Sequence, residues 1–264
     1  MTPYFQALEA TMSTDRCIAT SCDHRYFPAL MALLRSLKAT NPALPVVVFD
    51  GGLTVSQARK AAGYARLIRK RPFVEIEEIG KFSYIGNTTL LKFEVPDLDY
   101  EKVLYLDADM VVLGDLECLF AIPEGTVGVV PEVNAVKNMF RPRHRRMLAE
   151  NVDIDWNARG FNAGLFTIRP GEWKDLADRA LSLIQCFGPE CFSKTKDQQL
   201  LNIIFAGRTY EYPSRYNHSP LYDDHDDPCV LHYLTECKPW HLDYPFGHHY
   251  GSFRRHLAFT DHPG

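Results

Sequence analysis

The chain has 264 residues, of which 46% are hydrophobic and 23% charged, the composition of a soluble globular protein and not of a disordered one. A formal net charge of −4 excludes a general nucleic-acid binder, which would be basic, and requires local cations for any polyanionic ligand. The opening MTPYFQALEATMSTDR has no basic start followed by an apolar stretch, no run is apolar enough for a membrane span, and seven scattered cysteines make no C-x-x-C, so a cytoplasmic protein with reduced thiols is expected.

In chain order, RCIATS predicts a short strand and YFPALMALLRSL a helix, with Leu30, Leu33, Leu34 and Leu37 at helical spacing and Pro28 in the first turn. PVVVFD predicts a buried strand ending at Asp50. Gly51-Gly52 then turns, and Thr54 caps a helix over VSQARKAAGYARL. FVEI reads as a strand, TTLLKFEV as a helix and KVLYLD as a strand, with further strands at GTVGVV and AGLFTI. EWKDLADRALSLIQCF and DQQLLNIIFAG read as helices, the second capped by Asp197. RPRHRRM reads as a solvated helix start, and YNHSPLYDDHDDPC as a polar loop. Continuous apolar strands between amphipathic helices predict an α/β fold with a mostly parallel sheet covered on both faces. No repeat or linker divides the chain, so one domain over residues 1–264 is expected.

VLYLDADMVVLGDL carries the chemistry. In an extended segment, side chains two residues apart point the same way, so Asp107 and Asp109 would converge while Ala108 packs on the other side. The pair falls at the carboxyl end of a strand, where open α/β sheets form their ligand crevices. Converging carboxylates repel each other unless a cation lies between them, and Mg²⁺ or Mn²⁺ suits oxygen ligands. The same D-x-D also fits the nucleophile loop of haloacid-dehalogenase-like phosphatases, with Asp107 attacking phosphorus, Asp109 as acid/base and Asp226 or Asp227 holding Mg²⁺. A strand that merely reaches solvent is the plain alternative.

Three further stretches bear on the choice: RGFNAGLFTIRP with Asn162, KTKDQQLLNIIF with Asp197 and Gln198, and LHYLTECKPW with His232 and Lys238. A partial zinc site from Cys229, His232 and Cys237 lacks a fourth ligand and the usual spacing. The ordered set LKFEV, YLDAD, FNAG, DQQLLN and H-x5-KPW, from about Arg16 to Trp240, resembles the family 8 retaining glycosyltransferases, the group of glycogenin and the lipopolysaccharide galactosyltransferases.

The resemblance implies a GT-A fold, a Rossmann-like mixed sheet with helices on both faces. Its nucleotide-sugar-binding part would span about 16–130, and a part completing the acceptor and metal sites about 131–264. It implies a UDP-sugar donor and Mn²⁺, with Mg²⁺ an alternative, held by Asp107, Asp109 and His232. Lys238 would contact the diphosphate; Ala19, Thr20 and Tyr26 would hold the uridine, with Asp107 and Ala108 nearby; and Lys92 would reach sugar and phosphate. Glu132, Asn162, Asp197 and Gln198 would face the sugar, the last two, with Lys238, acting in catalysis. The acceptor would be a saccharide, a lipid-linked group or a protein, and a homo-oligomer is allowed. Thr235 stands where the family has glycine. A phosphatase and a catalytically silent nucleotide-sugar-binding protein remain the other readings.

Overall fold

The first apolar run of the sequence becomes β1 (Arg16–Cys22), a strand buried from Cys17 onward. The structure, a computed structural model, describes residues 15–76, 86–220, 227–234, 236–241 and 250–257. Thr235, Asp226 and residues 221–225 of the expected polar loop lie outside the described residues.

After β1 comes α1 (Phe27–Thr40), with Pro28 in its first turn and Leu30, Leu33, Leu34 and Leu37 buried; proline is tolerated there because that N–H has no helical partner. β2 (Val46–Asp50) lies parallel to β1. α2 (Val55–Ala61) begins with the expected cap: Thr54 Oγ1 accepts from Gln57 N at 3.3 Å, and Gln57 Oε1 accepts from Thr54 N at 2.9 Å.

Two expectations fail next. The helix stops at Ala61, and its expected end is instead part of β3 (Arg66–Arg69), parallel to β2. FVEI is not a strand; Phe73 and Val74 pack on the core, and Ile76 N donates to Asn87 Oδ1 at 3.1 Å. The edge position goes to RLIR, whose arginines suit an exposed edge better than a second apolar run would. TTLLKFEV lies in a 3₁₀ helix, Asn87–Asp97, with Pro96 inside its last turn. Leu90, Leu91, Lys92, Phe93 and Val95 are all buried, so the segment is enclosed on several sides and shows no single apolar stripe.

The remaining elements are β4 (Lys102–Leu106), β5 (Met110–Val112), β6 (Val127–Ala135), α3 (Pro142–Ala149), β7 (Arg159–Ile168), α4 (Leu176–Phe187), α5 (Asp197–Ile204), β8 (Thr209–Glu211), β9 (Val230–His232) and α6 (Tyr250–Leu257). The main sheet has seven strands in the order β3-β2-β1-β4-β7-β6-β8. β3, β2, β1 and β4 run parallel, β7 is antiparallel to both β4 and β6, and β8 is parallel to β6. The fold is therefore the expected mixed, mostly parallel α/β arrangement.

Alternate residues of β1 explain its continuous apolar run. Cys17 and Ala19 pack with Leu90, Leu200 and Leu201 on one face, and Ile18 packs with Leu33 and Leu37 of α1 on the other. Strands covered on both faces need apolar side chains in both directions. A separate two-stranded sheet joins β5 to β9 antiparallel, with Met110 opposite His232. Among the described residues no helix is long and apolar enough to cross a membrane.

Candidate functional site

The two aspartates reach one cleft by a turn, not by strand alternation. β4 ends at Leu106, Met110 N donates to Asp107 O at 3.3 Å, and the chain re-enters as β5. Ala108 fills the inside of this turn against Cys22, Phe27 and Leu30. Asp107 N donates to Gly164 O at 2.7 Å, which ties the turn to β7. The β5–β9 pairing then places His232 beside the aspartates. A carboxylate oxygen from each aspartate and an imidazole nitrogen lie within 4.8 Å of one another.

Each carboxylate spends one oxygen on a buried lysine and turns the other toward the imidazole. Asp107 Oδ1 accepts from Lys92 Nζ at 3.1 Å, while Oδ2 lies 3.9 Å from His232 Nε2. Asp109 Oδ2 accepts from Lys238 Nζ at 2.6 Å, while Oδ1 lies 3.3 Å from His232 Nε2. Burial pushes the Asp109 carboxyl up, but Lys238, joined by His232 whenever its Nε2 carries a proton, outweighs it and holds the group well below the usual carboxylate range. Two hard oxygens and an imidazole nitrogen converging in this way are a donor set suited to a divalent cation.

Lys92 is fully buried, and its three N–H groups go to Asp107, to Asp197 Oδ2 at 2.5 Å and to Ala163 O at 3.0 Å, with the Tyr105 ring 5.0 Å away. Burial lowers the Lys92 pKa, but Asp107 and Asp197 more than offset it and the ammonium is held above its ordinary value. The same burial, aided by Asp107 and opposed by Lys92, raises the Asp197 carboxyl. The expectation that Lys92 reaches the sugar and phosphate meets a lysine whose donors are all spent on protein groups. Asp197 was also expected to cap its helix. Lys196, at φ 43°, occupies the cap position and Asp197 is the first helical residue, its carboxylate turned inward.

The cleft has a volume of about 280 Å³. It gathers Tyr26, Asp107, Ala108, Asp109, Glu132, Asn162, Asp197, Gln198, His232 and Lys238 on one wall or another. Tyr26 meets the Trp240 ring edge-on at 5.5 Å, and Lys238 Nζ sits 5.6 Å from the Tyr26 ring centre. Lys238 also donates to Tyr233 O at 2.6 Å. Glu132, Gln198 and Asn162 are hydrogen-bonded in series, at 3.1 Å and 3.3 Å.

Ala19 and Thr20 are fully buried inside β1 and do not line the cleft; its lining starts at Ser21, Cys22, Asp23 and Arg25. Asp23 accepts from Arg25 N at 2.9 Å, from the Arg25 guanidinium at 2.9 Å and from Thr88 Oγ1 at 3.1 Å. Gly86 allows this close approach, because a Cβ there would lie 2.3 Å from an Arg25 guanidinium nitrogen. These residues escape sequence reasoning because the strand-end position that faces the cleft depends on where β1 stops. Asn217, whose Oδ1 lies 2.8 Å from His232 Nδ1, escapes it too, since it belongs to no motif.

The zinc reading does not match the geometry: Cys229 Sγ packs on Gly114 and points to Asp115 O, while His232 Nε2 faces the aspartates. Nor does the phosphatase reading gain from Asp227, which is exposed and paired with Arg215 at 2.8 Å.

Fold and site together define a GT-A-type α/β protein with an acid–acid–imidazole cluster at the carboxyl end of its central strands. The chain matches Glycosyl transferase family 8 over residues 17–243, and it belongs to that family. It is 27% identical over 168 residues to the lipopolysaccharide 1,2-glucosyltransferase of Escherichia coli K12, covering 58% of this chain and 48% of that one. It is 24% identical over 254 residues to glycosyltransferase GlyE of Streptococcus pneumoniae, covering 86% and 57% respectively. A probable glycosyl transferase Gly of Streptococcus gordonii is 29% identical over 167 residues, 59% of this chain but 22% of that protein. The chain thus spans less than two thirds of the length of each of these relatives. Among solved structures, the galactosyltransferase LgtC with donor and acceptor sugar analogues superposes with a TM-score of 0.76 at 20% identity, over 93% of this chain and 97% of that one. That likeness establishes the shared fold.

Proposed function

We propose that the chain transfers a hexosyl group from a UDP-sugar to an acceptor hydroxyl, with retention at the anomeric carbon. The observation that carries this reading is the convergence of Asp107 Oδ2, Asp109 Oδ1 and His232 Nε2 in a cleft that also holds Lys238. Mn²⁺, or Mg²⁺ in its place, fits this mixed oxygen and nitrogen donor set. Bound there, the cation would neutralise negative charge on the departing diphosphate.

The protein's own groups account for the rest. Lys238 offers a compact positive charge to the diphosphate from beside Asp109. Tyr26 offers a ring face to the base, and Asn162, Glu132 and Gln198 offer donors and acceptors to the sugar hydroxyls. The acceptor oxygen attacks the anomeric carbon on the face the diphosphate leaves, and its proton passes to a phosphate oxygen of that leaving group. Asp197, with its charge anchored by Lys92, and Gln198 stabilise the electron-poor carbon. Lys92 acts by holding Asp107 and Asp197 in place.

A donor screen by UDP release with Mn²⁺ tests the proposal. Asp109→Asn keeps the shape of the turn and is expected to lower metal-dependent UDP-sugar turnover about a hundredfold or more. Unaltered turnover in a folded variant would refute the assignment. Binding of UDP-sugar with no turnover on any acceptor or water would favour the silent binding protein instead.

A further inference from the structure

One unbroken series of side-chain hydrogen bonds runs from the sugar side of the cleft to the back of His232. Gln198 Nε2 donates to Glu132 Oε1 at 3.1 Å, and Asn162 Nδ2 donates to Gln198 Oε1 at 3.3 Å. Asn217 Nδ2 donates to Asn162 Oδ1 at 3.2 Å, and Asn217 Oδ1 lies 2.8 Å from His232 Nδ1.

The two ends of an amide have the same shape, so such a series could in principle run either way. Here fixed groups set its direction. The backbone N–H of Gly164 can only donate, and it lies 2.9 Å from Asn162 Oδ1, so that atom must be the oxygen. The Glu132 carboxylate accepts, so the Gln198 atom facing it must be the nitrogen. Both anchors require the same orientation of Asn162. Its oxygen then needs a donor from Asn217, which leaves only the Asn217 oxygen to face the imidazole.

An oxygen at 2.8 Å from Nδ1 demands a proton on Nδ1. That leaves the Nε2 lone pair of the neutral ring directed at the gap between Asp109 Oδ1 and Asp107 Oδ2. Without this constraint the neutral ring can carry its proton on Nε2 instead, donate it to Asp109 at 3.3 Å, and so block its own ligand atom.

We infer that Asn217 is a positioning residue for the metal site, selecting the Nδ1–H form of His232 so that Nε2 is available as a ligand. A neighbouring oxygen that fixes the tautomer of a ligating histidine is a general device of metal sites. Backbone bonds hold Asn217 in register with β9: His218 N donates to Val230 O at 2.9 Å, and His232 N donates to His218 O at 2.8 Å. Gly164 keeps the ring from being displaced, since a Cβ there would lie 2.3 Å from His232 Cε1.

The inference rests on the metal reading above, and the test separates the two. The full chain is titrated with Mn²⁺ alone, with free ion followed by its electron paramagnetic resonance signal and folding by thermal melting. Asn217→Leu, which offers no acceptor, and Asn217→Lys, which can only donate, are each expected to weaken Mn²⁺ binding by about 10–100-fold. Asn217→Asp, whose carboxylate accepts from Nδ1–H, is expected to stay close to wild-type affinity. The lysine variant carries the test if the leucine variant does not fold. Wild-type affinity in the folded leucine or lysine variant overturns the role of Asn217, as does an aspartate variant as weak as these. A wild-type chain that binds neither Mn²⁺ nor Mg²⁺ overturns the metal reading itself.

Discussion

Lys92 shows how far a residue's surroundings can redirect its role. A lysine on the segment before a D-x-D invites a substrate contact, yet its ammonium is enclosed by Asp107, Asp197, Ala163 and the Tyr105 ring. Losing one member of a buried ion cluster leaves the other charges without compensation, which costs more than the intact cluster contributes. Lys92→Met is therefore expected to lower folding stability by about 3–5 kcal/mol, measured by urea unfolding; a loss below about 1 kcal/mol would contradict the assigned burden. Asp107 and Asp109 were legible as a converging pair from their spacing, and His232 only through the likeness of H-x5-KPW to the family pattern. Asn217 was not, because an amide acquires its function only from the groups its two ends face.

At the scale of elements, the β2–α2 connection was read almost completely in advance. Asp50 closes the strand, and its Oδ1 accepts from Gly52 N at 2.9 Å and Leu53 N at 2.7 Å, with Gly52 in the left-handed region at φ 145°. Burial raises the Asp50 carboxyl, but the Leu53 N–H, Arg69 and the Gly52 N–H outweigh it and lower the pKa. A carboxyl lowered on folding adds stability above its unfolded pKa of about 4, and that stability is lost as pH falls below this value. Asp50→Asn is expected to flatten the acid limb of the stability–pH profile and to cost about 1–3 kcal/mol near neutral pH; an unchanged acid limb would contradict this. The β3 edge was misread, and the helix at residues 87–97 was expected without its 3₁₀ type, because pairing and enclosure, not local periodicity, decided them. The RLIR edge won its place from β2, and the enclosed residues 87–97 carry no stripe from which a helix type can be inferred.

The cluster at the heart of the molecule ties together chain segments more than a hundred residues apart, from Asp107 to His232 and Lys238. If Asp107, Asp109 and His232 hold the proposed cation, it binds the folded chain in preference to the unfolded one and stabilises the fold by mass action. At an Mn²⁺ concentration a hundred times the dissociation constant, the gain is about 2.7 kcal/mol, and EDTA should reverse it. For a chain of this size that corresponds to a rise of roughly 5–10 °C in melting temperature. A melting temperature indifferent to both Mn²⁺ and EDTA would count against the metal site.

Sequence by itself determined the α/β class and paired Asp107 with Asp109, because burial periodicity and side-chain spacing are local properties, while His232 and Lys238 were marked only by the family resemblance. Only the tertiary structure decided that Asp107 and Asp109 meet across a turn, that Lys92 is enclosed, that Ser21, Cys22, Asp23 and Arg25 rather than Ala19 and Thr20 face the cleft, and that Asn217 stands behind His232. The physical reason is the β5–β9 pairing together with the packing of β4 against β7. Hydrogen bonds between segments distant in the chain set which atoms face one another, and no local pattern records them.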